Sequence, residues 1–178
     1  FLKGKDLVES KQHVNELIDK FGYIEVHPYN DIEVIKGQGT IYLEMLNQMT
    51  EPDYLLIPVG GGGLLAGCSI INNSLSKKTK IIGVESKLYP SLYNIFYKKK
   101  LKCIGSTIAE GIAVKEIGSI PYNYIQDNLH SVITVSDTSI EQAIAMLALT
   151  EKVVVEGAGA VGLAAIIENH KQFKNKNV

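Results

Sequence analysis

The 178-residue chain has no arginine; its eighteen basic residues are all lysines. Without a guanidinium group the bidentate fork usually used for phosphates and carboxylates is excluded, so a bound anion must rest on main-chain N–H groups, hydroxyls or lysine. Cysteine is almost as scarce. Cys68 and Cys103 are far apart, form no C-x-x-C pattern and lie in otherwise apolar stretches. They read as free thiols in a reducing compartment, which argues against a disulfide framework or a zinc site. No uninterrupted apolar run approaches the ~20 residues of a membrane span, and no signal-peptide pattern is present. A cytoplasmic protein with no membrane partner is expected. Neither sign of charge prevails, since eighteen basic residues face nineteen acidic ones. That balance gives no basic surface for nucleic acid.

What is present is 46% hydrophobic residues and 21% charged ones, the composition of a water-soluble α/β or α protein. The length suits one compact domain with its own core and is short for two.

The chain is organised around Tyr54-Leu55-Leu56-Ile57-Pro58-Val59-Gly60-Gly61-Gly62-Gly63-Leu64-Leu65-Ala66-Gly67. An apolar run with β character ends at Pro58-Val59, four glycines follow, and an Ala/Leu/Ile-rich helix begins. Four residues without a Cβ let successive N–H groups point into one small space, and the helix start adds partial positive charge. The stretch reads as a phosphate cup that uses no cationic side chain.

Phe1 to Gly4 resembles the end of a strand. Asp6-Leu7-Val8-Glu9 has the form of a capping box opening an amphipathic helix over 6–21, with Gly22 as its C′ residue. Tyr23 to His27 is strand-like and Pro28 ends it. Asp31 to Lys36 predicts a short helical turn before Gly37-Gln38-Gly39-Thr40, after which Ile41, Met45, Leu46 and Met49 recur at helical spacing. Lys80 to Glu85 is a buried strand tipped by a carboxylate. Pro90 to Tyr97 is a helix with Lys98-Lys99-Lys100 in its last turn. Thr107 to Val114 is irregular yet apolar. Pro121 to Gln126 is helical, Ser131 to Val135 a strand, and Ser136 a cap for a helix through Ile140, Ile144 and Leu147. A last helix runs from Gly157 to about His170, and Val178 could open another strand. Helices alternating with β-branched runs predict a doubly wound, mainly parallel sheet with helices on both faces. Ligands in such sheets bind beyond the carboxyl ends of the strands.

Two other glycine patterns compete with the cup. A Walker A loop fails, because no lysine lies between Gly60 and Ser76. A dinucleotide fingerprint fits Gly61-x-Gly63-x-x-Ala66 with Glu85 as the ribose-binding acid, and fits Gly157-x-Gly159-x-x-Gly162 after Val153-Val154-Val155. A nicotinamide-dinucleotide-binding domain therefore stays open from spacing alone. Close packing of a helix on the sheet also explains Gly157 to Gly162.

Several segments together carry a resemblance. His27-Pro28-Tyr29-Asn30-Asp31, Ile35-Lys36-Gly37-Gln38-Gly39-Thr40, Pro58 to Leu64, Ile82-Gly83-Val84-Glu85, Thr107 to Val114, and Val154 to Ala160 occur here in the order and at the spacing of the fold-type II pyridoxal-phosphate enzymes. The match is similar throughout to the threonine (serine) dehydratases, with serine racemase close by. It implies the large cofactor domain of that fold over 1–178, with pyridoxal 5'-phosphate as cofactor. It also implies an ammonia-lyase of amino-acid metabolism, such as isoleucine biosynthesis, that converts L-threonine to 2-oxobutanoate and ammonia. The substrate would be a small amino acid, threonine or serine, and a homo-oligomer is expected.

By the same resemblance Gly60, Gly61, Gly62, Gly63 and the Leu64 amide would cradle the cofactor phosphate. Gly111 would lie along the cofactor ring, with Glu156 near the pocket or holding loop amides. In the racemase branch the positions of Glu85 and the Tyr89 carbonyl help bind a divalent cation, so the resemblance allows a divalent or monovalent cation here, although Ser91 replaces that branch's second acidic ligand. The family's Schiff-base lysine belongs to a Ser-x-Lys-x-Arg-Gly context that an arginine-free chain cannot contain. The substrate-carboxylate loop and the ring-contacting Asn are expected before Phe1, and the pyridine-nitrogen partner after Val178. The chain thus reads as an internal piece with no catalytic residue of its own, inactive in isolation.

Overall fold

The computed structural model describes residues 2–4, 7–75 and 78–178. Phe1 and Asp6, on which the expected strand end and capping box begin, lie outside them. Helix α1 is Leu7–Phe21, and Gly22 closes it with a left-handed φ of 68° and an N–H donated to the Ile18 carbonyl at 2.8 Å. Then come α2 (Ile32–Gln48), β1 (Tyr54–Pro58), α3 (Gly63–Ser74), β2 (Lys80–Ser86), α4 (Ser91–Phe96), a 3-10 turn at Glu110–Ile112, α5 (Ser119–Ile125), β3 (Ser131–Val135), α6 (Asp137–Thr150), α7 (Gly157–Glu168) and α8 (His170–Phe173).

The three strands form one sheet in the order β1-β2-β3, all parallel. Alternation along each strand supplies two apolar faces. Leu55 and Ile57 of β1, Ile81 of β2 and Val132 of β3 meet Ile35 and Tyr42 of α2, Leu65, Ala66 and Cys68 of α3, and Ile125 of α5. On the other face Val84 and Val135 meet Ile140 and Ala143 of α6 and the alanine-rich side of α7. This is the doubly wound α/β arrangement read from the alternation of elements. The short side chains Ala160, Val161, Ala164 and Ala165 bring α7 close to the sheet, and all four are fully buried.

Three local readings need correction. First, α2 is one continuous helix and not a turn broken at Gly37 and Gly39. A Cβ on Gly67 would stand 2.5 Å from the Gly39 nitrogen, and one on Gly39 would stand 2.8 Å from the Gly67 carbonyl oxygen. The glycines therefore let α2 and α3 cross backbone to backbone, an approach that offsets their cost inside a helix of about 0.5–1 kcal/mol each. Second, residues 23–27 form no strand, and Ile24 is 91% exposed. Third, the three lysines follow α4 instead of closing it; Lys99 N–H donates to the Asn94 carbonyl at 2.9 Å. At the other end, the Asn177 carbonyl accepts from Asp53 and Tyr54 N–H at the start of β1, at 2.9 and 3.2 Å, but residues 176–178 form no strand. Among the described residues no helix is long and apolar enough to cross a membrane.

Candidate functional site

Strand β1 delivers the chain to Val59, whose N–H donates to the Val84 carbonyl at 2.8 Å. The four glycines then turn beyond the carboxyl end of the sheet. Gly62 is the N-cap of α3, with a φ of +92° that L side chains rarely adopt and with no side chain to cap the helix. Two carbonyls of this loop are engaged: Gly61 accepts from Gly118 N–H at 3.0 Å and Gly62 from Ala66 N–H at 2.9 Å. Its donors are not. Among the described residues nothing accepts a hydrogen bond from the N–H of Gly60, Gly61, Gly62, Gly63 or Leu64, although Gly61, Gly62 and Gly63 are buried. Buried main-chain donors without partners are rare in folded proteins, and three of them occur together here at a helix start, flanked by the half-buried Gly60 and Leu64 amides.

They line a cavity of about 390 Å³. All seven residues singled out as a cofactor set, Gly60, Gly61, Gly62, Gly63, Leu64, Gly111 and Glu156, are brought together on its wall. The fit is close. A Cβ on Gly60 would stand 3.2 Å from Ile112 Cα and 3.3 Å from the Gly111 carbonyl oxygen, and one on Gly111 would stand 3.1 Å from the Ala158 methyl group. A second helix start faces the same space: Glu156 is the N-cap of α7 and its side chain does not cap it. Two uncapped helix starts around one cavity make it favourable to an anion.

Tyr29 and Gln38 were not singled out from sequence, yet both line the cavity. The Tyr29 ring covers Gly61 so closely that a Cβ there would fall 2.3 Å from ring carbons. The turn carrying Tyr29 is held by His27, whose Nδ1 accepts from Tyr29 N–H at 3.3 Å and Asn30 N–H at 3.0 Å. The motif His27 to Asp31 was visible as a pattern, but this contact is between residues remote in sequence. Neither lysine nor cysteine lines the cavity.

Glu85 and Tyr89 lie elsewhere. The Glu85 carboxylate is fully buried and accepts from Ser91 Oγ at 2.9 Å, Leu92 N–H at 2.7 Å and Tyr93 N–H at 2.8 Å. Burial pushes its pKa up to about 6 against the pull of those hydrogen bonds. The Tyr89 hydroxyl donates to the Gly105 carbonyl at 2.8 Å. Among the described residues no cluster of three or more His, Cys, Asp or Glu side chains could hold a metal ion. A carboxylate so enclosed also cannot reach a ribose beside the glycine loop, which removes the first dinucleotide fingerprint. The second loses its context, since Val153 to Val155 form no strand and Val154 is 93% exposed. The tight packing in that motif is at Gly157, under the Ile108 carbonyl.

A family model described as pyridoxal-phosphate dependent enzyme matches residues 1–178. An L-threonine ammonia-lyase of Thermotoga maritima is 36% identical over 99% of this chain and 44% of its own length. A catabolic L-threonine dehydratase of Staphylococcus aureus is 38% identical over 99% of this chain and 53% of its own. Among solved structures, the processed form of threonine deaminase isoform 2 from Solanum lycopersicum superposes with a TM-score of 0.89 at 32% identity, covering 99% of this chain and 49% of that one. Maize serine racemase gives 0.90 at 28% identity, covering 99% and 56%. The chain spans about half the length of the curated relatives it matches.

Proposed function

This chain belongs to the pyridoxal-phosphate-dependent enzymes, and we propose that the full-length protein is an L-threonine/L-serine ammonia-lyase releasing 2-oxobutanoate and ammonia from threonine. The observation that carries the reading is the set of five unpartnered N–H groups from Gly60 to Leu64, around a cavity with no cationic wall. They fit the phosphate of the cofactor as a cradle that needs no arginine. When bound, pyridoxal phosphate supplies an electron sink that stabilises charge at the amino-acid α-carbon.

The chain's own residues do the holding. The glycine amides and the start of α3 fix the phosphate end, Gly111 leaves room for a flat ring, and Tyr29 closes the loop from outside. Glu156 stands within reach of the Gly111 face, where a carboxylate can hold a proton or an amide. No lysine is at the cavity, so the covalent anchor and the substrate-carboxylate site come from the rest of the protein. The names of the relatives support a lyase of amino-acid metabolism, in a catabolic setting over isoleucine biosynthesis. A serine racemase is the second reading, favoured by the maize superposition.

The test uses the full-length protein with pyridoxal phosphate and L-threonine or L-serine. Keto-acid release from L-threonine is expected, with residues 1–178 alone releasing none. Formation of D-serine without keto acid favours the racemase, and a protein that binds no pyridoxal phosphate overturns both.

A further inference from the structure

Resting on that reading, we propose that Asp137 and Thr107 are positioning residues for the cofactor cavity, although neither touches it. Asp137 opens α6 beyond the carboxyl end of β3. One of its carboxylate oxygens accepts from the Thr107 hydroxyl at 2.7 Å, and the other accepts from Ile108 N–H at 3.1 Å. The Thr107 oxygen in turn accepts from Ala109 N–H at 3.2 Å and from Ser86 Oγ at 3.2 Å. Ser86 ends β2 and is fully buried; Thr107 is 5% exposed. The start of the irregular stretch from Thr107 to Val114 is thereby fastened to the ends of two neighbouring strands through one hydroxyl and one carboxylate, a charge-assisted pair with its partners satisfied.

From that anchor the stretch runs into a slot without slack. A Cβ on Gly157 would collide with the Ile108 carbonyl; one on Gly111 would stand 3.1 Å from the Ala158 methyl group; and one on Gly60 would stand 3.2 Å from Ile112 Cα and 3.3 Å from the Gly111 carbonyl oxygen. The same backbone therefore touches the start of α7 on one side and the glycine loop on the other. Packed protein transmits small displacements of this kind, since it has no voids to absorb them. Loosening Thr107 shifts Gly111, which shapes the ring side of the cavity. A helix-opening aspartate thus acts through the loop it fastens.

The experiment compares Thr107→Val, Thr107→Ser and Asp137→Asn in the full-length protein, with Tyr42→Phe as a stability control. Tyr42 donates to Thr79 at 2.7 Å at the opposite end of the sheet. Three readouts are taken: pyridoxal-phosphate affinity by absorbance titration, visible circular dichroism of the bound cofactor, and melting temperature. Thr107→Val and Asp137→Asn are expected to weaken affinity about tenfold, or ~1.4 kcal/mol, and to alter the dichroism. Thr107→Ser, which keeps the hydroxyl, is expected to restore both, and Tyr42→Phe to lower the melting temperature without moving either. Affinity and dichroism equal to wild type in both Thr107→Val and Asp137→Asn overturn the proposal, as does a loss that follows melting temperature alone. If Thr107→Val does not fold, Asp137→Asn against Thr107→Ser decides. Wild-type protein that binds no pyridoxal phosphate overturns the functional reading itself, and this proposal with it.

Discussion

Three helices, α3, α4 and α6, begin just past the carboxyl ends of β1, β2 and β3, on one edge of the sheet, but only one is left open. At α4 the buried Glu85 carboxylate occupies the helix start, taking the Leu92 and Tyr93 amides and the Ser91 hydroxyl. At α6 the Ser136 hydroxyl accepts from Ser139 N–H at 3.3 Å. At α3 the corresponding residue is Gly62, which has no side chain to offer. A helix start is a weak anion site wherever the chain supplies its own acceptor. The difference between β1 and β2 is that the helix start after β1 keeps its donors free, as the proposed phosphate cradle needs, while the one after β2 receives an acceptor from the chain itself. The start after β3 is likewise capped from within.

The sharpest way to break the contrast is to fill the open start. Gly61→Val places a branched side chain into the Tyr29 ring and the cavity mouth, and is expected to weaken pyridoxal-phosphate binding by the full-length protein about a hundredfold, ~2.7 kcal/mol. Gly162→Ala on α7 is the matched control. Its Cβ would have no neighbour nearer than 3.8 Å, so affinity should stay within about twofold of wild type. Equal effects of the two substitutions in absorbance titrations would refute the role of the loop.

Emptying the filled start is the converse. Glu85→Ala leaves the Leu92 and Tyr93 amides and the Ser91 hydroxyl facing a buried gap, and should cost about 3 kcal/mol in urea unfolding at neutral pH, the size expected for lost hydrogen bonds to a charged group. A loss under ~1 kcal/mol would mean that α4 finds other acceptors.

How far these features could be read in the sequence follows from the range of the interactions behind them. The glycine cup, all three strands and the Ser136 cap depend on neighbours within a few residues, and the sequence shows them directly. The continuity of α2 could not be read that way. Gly37 and Gly39 look like breakers until Gly67 is known to lie against Gly39, while Gly37 faces open space. Tyr23 to Val26 has strand-forming residues but no paired neighbour among the described residues, and β propensity without a partner makes no strand. Glu85 was legible as a carboxylate at a strand tip; its role depended on α4 folding back over it. Asp137 is an acid in the first turn of α6, and nothing in its local sequence points to its partners Thr107 and Ile108, about thirty positions earlier.

The smallest effect sharpens the comparison through pH, because two carboxylates that brace this edge respond in opposite senses. Burial holds Glu85 up at about 6. Glu168 is also pushed up by burial, but the Ser136 amide, the Ser139 and Ser136 hydroxyls and the Lys87 ammonium outweigh that and bring it down to about 2. A raised folded-state pKa favours the protonated native protein, so the protonation-linked part of the Glu85 contribution is full below its ordinary value of 4.5 and is lost as pH rises through about 6, while its hydrogen bonds to the start of α4 remain. A lowered one favours the ionised native protein. The contribution of Glu168 is therefore full above 4.5 and fades as pH falls toward about 2. It should also be the smaller, because that side chain is partly open to solvent, which screens its hydrogen-bonded charge. Unfolding midpoints of wild type, Glu85→Gln and Glu168→Gln across this range should then diverge. The wild-type advantage over Glu85→Gln shrinks with rising pH, and the advantage over Glu168→Gln grows. Parallel slopes for the two variants would show that the capped helix start carries no more desolvation than the exposed brace, and the contrast between a filled and an open start would lose its electrostatic basis.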